Sequence, residues 1–355
     1  MIRRDRTYVD ILEILGLDRV GSSAAAAPFA EMDRSRRAFR VTRRKVEQEL
    51  LSVLDGGQAI STDADATNPA DLRPASFDIA GPSPSMLPVL LSSPHSGEAF
   101  SDDFLAHVDL PPRALHPLGD GPLDRLYAEV CTEGVQLLSA RYSRAVVDLN
   151  RAPDEIAPEQ LLTPAAVQLR ITEKVRLGLG VIPGRVNGRV IRRSRISCED
   201  FRNRIDTIHA PYHTAIDRAL ASLVERFGHA LLLDCHSMPS GLVSHGGRAV
   251  DVVLGDACGM SADPALVELA RRCFADAGLF VRLNQPYAGG FITRRHGHPA
   301  MGRSALQIEI RRDLFMDESS RELRACGVRM ARVMRDLVRR AGRMIAGGRR
   351  GEAAA

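Results

Sequence analysis

Close cysteine pairs are missing from this chain: its six cysteines, at 131, 198, 235, 258, 273 and 326, include no C-x-x-C or similar spacing. That excludes a disulfide framework and a cysteine-rich zinc module, and leaves the thiols to be read as small buried residues. Long apolar runs are missing too. No stretch approaches the roughly 20 residues of a membrane span, and the opening MIRRDRTYVDILEILGLDRV lacks the uninterrupted apolar core of a secretory signal, so the expectation is a cytoplasmic protein without a membrane partner. There is no G-x-S-x-G elbow and no Walker loop, and GLGVIPG misses the dinucleotide-binding spacing by one residue. No internal repeat and no coiled-coil segment is found.

What is present suits a soluble globular protein: 355 residues, 45% hydrophobic and 26% charged, with a formal net charge of +4. That length supports one large core or two smaller ones. The chain divides near residue 76. Residues 1–75 combine an Arg-rich piece, RSRRAFRVTRRK, with the acidic stretch STDADATNPADLRP, and are expected to be a largely flexible extension. Acidic residues interrupt those arginines and no aromatic residues interleave them, so no nucleic-acid partner is expected. Residues 76–346 are assigned to one globular domain and 347–355 to a disordered tail.

From MLPVLLSS onward, short apolar runs alternate with amphipathic stretches. Strands are predicted at 88–93, 135–140, 145–149, 230–234, 250–254, 279–283 and 305–310, nearly all continuously apolar rather than alternating. Helices are predicted at 122–132, 164–177, 199–227, 263–277 and 318–345, with Asp263-Pro264 as an N-cap and first-turn pair. Strand and helix taking turns implies an α/β sandwich, its sheet covered on both faces, with chemistry at the C-terminal strand edges.

The reactive residues cluster at those edges. PVLLSSPHSGE delivers His95 and Glu98 past one strand, AVVDLNR delivers Asn150 and Arg151 past a second, ALLLDCHS delivers Asp234 and His236 past a third, and ALQIEI carries Glu309 near the end of a fourth. Two imidazoles and a carboxylate from separate loops make a three-ligand zinc site with an open position for water. Asp234 fits a role in fixing the His236 tautomer, or in capping the next turn. His209 and His213, four apart in HAPYH, are a rival pair, but Pro211 disturbs their helix and no E-x-x-H glutamate accompanies them. Ser96 and Ser237 read as small loop residues beside the histidines.

The blocks SSPHSG, YSRAVVDLNR, PYH, DCHS, GGFITRRHG and LQIEI resemble, in order and approximate spacing, those of N-formylglutamate amidohydrolases, over about residues 86–318. That family is similar in turn to zinc carboxypeptidases, aspartoacylase and succinylglutamate desuccinylase. The resemblance implies a three-layer α/β/α sandwich, zinc-carboxypeptidase-like, with a mixed, mostly parallel, roughly eight-stranded sheet. It implies one Zn2+ per chain, or another divalent ion, on His95 and His236. Glu98 completes the set by the carboxypeptidase pattern, or Asp120 of GDGPLDRLY by the amidohydrolase pattern. It makes Glu309 the general base, Arg144 the cation at the scissile carbonyl, Asn150 and Arg151 the pair gripping an α-carboxylate, and Arg294 the partner of a second carboxylate. The family continues the Arg294 block with Arg-His-Tyr-Gly, whereas this chain has Arg294, Arg295, His296 and Gly297.

The resulting expectation is a metal-dependent amidohydrolase that cleaves the amide bond of a small N-acyl amino acid, N-formyl-L-glutamate or a close relative, in histidine or formylated amino-acid catabolism. Two alternatives stand beside it. One is a carboxypeptidase-, desuccinylase- or aspartoacylase-like zinc hydrolase using the same site on another substrate; the other is a non-catalytic binding protein that keeps the fold.

Overall fold

The computed structural model describes residues 76–352. The expectations for residues 1–75 and 353–355 lie outside the described residues. Seven strands form one sheet: β1 (Phe77–Ala80), β2 (Val89–Ser93), β3 (Gln136–Ala140), β4 (Ala230–Met238), β5 (Val252–Gly255), β6 (Val281–Leu283) and β7 (Arg303–Arg311). Their spatial order is β1-β3-β2-β4-β7-β5-β6. The β3-β2, β2-β4, β4-β7 and β5-β6 pairs are parallel, while β1-β3 and β7-β5 are antiparallel. This is the mixed, mostly parallel α/β sheet expected, with seven strands among the described residues rather than eight.

The inner strands are buried on both faces, which is why they read as continuous apolar runs. Val89, Leu91, Leu231, Leu233, Leu306 and Ile308 point into one core, shared with the helices Leu123–Ala128 (α2), Pro264–Asp276 (α5) and Gly327–Glu352 (α7). Leu90, Leu232, Ala230 and Ala305 point into the other, shared with α1 (Asp102–Ala106), α3 (Cys198–Arg204) and α4 (Ala210–Phe227). Each fully buried Leu in these layers contributes about 1.5–3 kcal/mol of transfer free energy.

Local signals place the helix ends. Asp263 caps α5 by accepting from the Ala265 N–H, with Pro264 in the first turn, as expected. Pro211 has no N–H to donate one turn back. The chain meets this with a widened turn at Ile205–His209, in which the Ala210 N–H reaches back to the Ile205 carbonyl, and then continues as α4. Gly228, with φ of 80°, ends that helix.

Three local expectations are corrected. Residues 145–149 form buried turns rather than a strand, because the Asp148 N–H bonds to Val181 and no neighbouring strand pairs with them. Residues 164–177 hold only two short turns, Pro164–Ala166 and Glu173–Arg176, since the β-branched Ile171-Thr172 pair interrupts the stretch and Thr172 starts a new cap. Of the six cysteines, Cys258 and Cys326 are exposed. The last helix spans Gly327–Glu352.

Candidate metal centre and active site

The second face changes character along its length. On β4 the apolar Ala230 and Leu232 give way to Asp234 and His236; on β7, Ala305 gives way to Gln307 and Glu309. The alternation of a strand keeps all of these on one face. Register aligns them in rows, Gln307 beside Asp234 and Glu309 beside His236. The interior therefore turns polar at the C-terminal edge of the two central strands, where β2 also ends and hands the chain to His95.

His95, Asp120 and His236 converge there. One nitrogen of each ring and a carboxylate oxygen lie within 4.8 Å of one another, all three residues being buried. Asp120 Oδ2 is 2.9 Å from His236 Nδ1 and 3.4 Å from His95 Nδ1. The far nitrogens are held from behind: His95 Nε2 is 2.8 Å from Asp148 Oδ1, and His236 Nε2 is 3.1 Å from Asp234 Oδ1. A carboxylate behind each imidazole fixes the ring and raises its basicity toward a cation. This donor set, two imidazole nitrogens and one carboxylate with orienting carboxylates outside it, fits a divalent ion such as zinc.

The electrostatics agree. Burial alone would neutralise Asp120, yet hydrogen bonds from His236 and His95 hold its carboxyl below the usual carboxylate range. Burial opposes charge on His236, but the Asp234 charge and the Asp120 hydrogen bond raise it well above the usual imidazole value. Three acidic groups facing two rings favour positive charge at this point.

Glu98 is not part of the group. Three residues past His95 the chain is not helical: Gly97 packs against the Tyr142 carbonyl, Ala99 pairs with Tyr142 as an extended bridge, and the Glu98 side chain, 58% exposed, meets Arg321 at 3.4 Å. An i, i+3 spacing shares a face only on a helix. Asp120 is delivered instead because its backbone N–H bonds to the His95 carbonyl. Arg312 secures that loop, donating to the Gly119 carbonyl and to Ser237 Oγ, which in turn donates to the Asp120 carbonyl.

Glu309 is buried and receives a 2.8 Å hydrogen bond from Gln307 Nε2. Burial pushes its carboxyl up to about 8; the His236 charge pulls it down and Asp120 and Asp234 push it further up. A carboxyl poised near neutrality beside a metal-ligand constellation is a fit for proton transfer.

Asp148, which the sequence reading passed over, joins the metal group to the arginines. Its Oδ1 meets His95 and its Oδ2 accepts from Arg144 Nε at 2.8 Å. Arg144 also donates from Nη1 to the Leu118 carbonyl, and Arg151 donates to the Leu179 and Asn150 carbonyls from Nε and Nη1. The Nη2 groups of both are left without a protein partner among the described residues. Arg294 is exposed on α6 (Phe291–His296) and lies near enough to repel Arg151, whose guanidinium is held below its ordinary value by burial, with Asp148 opposing and Arg144 and Arg294 adding to the effect. Arg144 and Arg151 thus share Asp148, with Glu155 a second carboxylate beside Arg151 and Arg294 close to it.

Asn150 is brought to the site but is committed to it internally. Its Oδ1 accepts from the Ile292 N–H at 2.8 Å and its Nδ2 lies 3.0 Å from His236 Nε2. Gly290 permits this approach, since a Cβ there would fall 2.3 Å from the Asn150 amide. His209 and His213 sit apart from the metal group, each bonded to a backbone carbonyl of the 149–151 segment.

The chain and its fold resemble known proteins. Residues 87–316 match the family model of N-formylglutamate amidohydrolase. An N-formylglutamate deformylase of Pseudomonas aeruginosa is 35% identical over 240 residues, which is 66% of this chain and 84% of that protein. One from Pseudomonas putida is 34% identical over 236 residues, 66% of this chain and 83% of that protein. The crystal structure of N-formylglutamate amidohydrolase from Ralstonia eutropha superposes with a TM-score of 0.73 at 34% identity, covering 77% of this chain and 99% of the other. With most of the described domain inside the matched region, the chain belongs to the N-formylglutamate amidohydrolase family.

Proposed function

We propose that this protein hydrolyses the amide bond of N-formyl-L-glutamate, taking up water and releasing L-glutamate and formate, with a divalent metal on His95, Asp120 and His236. The observation that carries the reading is the pairing of that buried donor trio with the guanidinium groups of Arg144 and Arg151 beside it. Zinc bound there supplies Lewis acidity, polarising a carbonyl and lowering the pKa of water toward about 7.

The protein's own residues do the rest. Asp148 and Asp234 hold the two imidazoles with Nδ1 turned to the metal position. Glu309, beside His236, removes a proton from the attacking water and returns it to the leaving amine. Arg144, oriented by Asp148 and the Leu118 carbonyl, points its remaining N–H groups at the developing oxyanion. Arg151 and Arg294 take the two carboxylates of a dicarboxylate substrate, where planar bidentate donors discriminate in favour of carboxylate. Asn150 positions α6 through its Oδ1, which accepts from the Ile292 N–H.

The test is metal content by elemental analysis, with formate release from N-formyl-L-glutamate, on wild type and His236→Ala. About one zinc per chain, lost in the variant together with formate release, is the expected result. A wild-type protein with neither metal nor formate release overturns the proposal.

A further inference from the structure

Behind the 148–151 segment lies a second set of buried polar groups that the chemistry above does not use. His213 Nε2 is 2.9 Å from the Leu149 carbonyl, His213 Nδ1 is 2.9 Å from His296 Nε2, and His296 Nδ1 is 3.0 Å from Asp217 Oδ1. The two rings meet edge to edge, their centroids 5.2 Å apart and their planes 15° from parallel, His213 being 3% and His296 0% exposed. All four ring nitrogens are engaged in this line, so it is a relay and not a metal site.

Counting protons constrains its charge. A carbonyl only accepts, so His213 Nε2 carries hydrogen. Asp217 is held below the usual carboxylate range, chiefly by its bond to His296, so it is an acceptor and His296 Nδ1 carries hydrogen. The central bond needs one more. Two rings must therefore share three protons, one more than two neutral imidazoles possess.

We propose that His213 and His296 share a single extra proton, balanced by Asp217, and act as positioning residues that hold the Leu149 carbonyl and with it the Asp148, Asn150 and Arg151 side chains in working register. The inference rests on the function proposed above only for its kinetic readout. Its geometry is supported from the turn just before α4 by His209, whose Nε2 bonds the Arg151 carbonyl and whose ring lies 4.4 Å from His213. Phe291, at the start of α6, packs edge-on against His213 at 5.1 Å, joining the relay to the helix that carries Arg294.

The charged groups around the pair set the direction of its pH response. His209 and Arg295 face it as cations or potential cations, while Asp217, with Arg295 and Arg303 beside it, and Asp234 face it as anions. Burial lowers both rings, and His296 further lowers His213, so the extra proton is held only below the ordinary imidazole range. That proton is bound at low pH and released as pH rises. On release one of the three hydrogen bonds loses its donor.

The experiment uses the zinc-loaded full chain, labelled with 15N-histidine. Long-range 1H–15N correlation should show three protonated nitrogens over the two rings at low pH, falling to two as pH rises. Asp217→Asn, which keeps an acceptor but removes its charge, should move that loss to lower pH and shift the upward turn of KM for N-formyl-L-glutamate by the same amount. His213→Leu should raise KM about tenfold with zinc content unchanged, as expected for a small misplacement of binding groups. His213→Gln, able both to donate to Leu149 and to accept from His296, should restore most of it. Two ring protons at every pH, or a pH response unaltered in Asp217→Asn, overturns the proposal. Should His213→Leu fail to fold, the spectra and Asp217→Asn still decide. If the wild type releases no formate, the function reading falls while the proton count remains decisive for the relay.

Discussion

Replacing Asp120 by Asn and, separately, Glu98 by Gln distinguishes two carboxylates that a sequence pattern makes equivalent. The Asp120 side chain is 6% exposed, with Oδ2 at 2.9 Å from His236 and 3.4 Å from His95, and Arg312 at 3.7 Å from Oδ1. Glu98 is 58% exposed and makes one long ion pair, with Arg321. Loss of even an outer partner of a metal ligand costs about 10–100-fold in metal affinity, so loss of Asp120 as a direct ligand should cost at least that, about 1.4–2.8 kcal/mol or more. A surface pair like that of Glu98 contributes about 0–1 kcal/mol. Glu98→Gln is therefore expected to keep its metal and its activity.

Zinc affinity is measured by competition against a chelator of known affinity, with formate release followed in parallel. Removing one partner of a buried charge pair also costs about 3–5 kcal/mol in stability, so thermal melting of each variant is recorded to separate unfolding from ligand loss. The expected pattern is a folded Asp120→Asn protein with weakened zinc binding and little activity, beside a Glu98→Gln protein close to wild type. Glu98→Gln losing zinc while Asp120→Asn retains it would refute the geometry on which the donor set rests.

Glu309→Gln should abolish formate release while leaving zinc bound, and it should also alter pH dependence in the metal-free protein. With its folded carboxyl raised to about 8, Glu309 binds a proton in the native state that the unfolded chain has released above about pH 4.5, so stability falls as pH rises through that window. Urea unfolding of the metal-free protein across that range should show the decline flattened in Glu309→Gln, by a few kcal/mol at the alkaline end; an unchanged slope contradicts the burial argument. Gly290→Ala forces a Cβ to within 2.3 Å of the Asn150 amide, which Ile292 and His236 hold in place, so about 1–3 kcal/mol of overpacking strain and a higher KM are expected from melting and kinetics. Arg312→Met leaves the Gly119 carbonyl and Ser237 hydroxyl without their buried donor, which should cost about 1–3 kcal/mol of stability and loosen zinc through Asp120.

The layered α/β arrangement was legible because strands buried on both faces must be continuously apolar, and six of the seven predicted runs became strands of one sheet. The exception, AVVDL, is apolar for a different reason. Its valines fill the second core, while its backbone bonds to Val181, a partner supplied by a distant loop that no local pattern announces. The same limit governed the site. His95, His236 and Glu309 end recognisable strands, so position in a run was enough to single them out. Asp120 was recoverable only as an alternative, because a loop residue is brought to a site by backbone contacts such as its bond to His95, and these have no periodicity. Asp148 was hidden by its role: a carboxylate that serves by holding His95 and Arg144 looks in sequence like any polar residue at the end of an apolar run. Local pattern therefore finds the groups that strands present. The groups that orient them come from chain crossings, and here those crossings decide which carboxylate faces the two histidines.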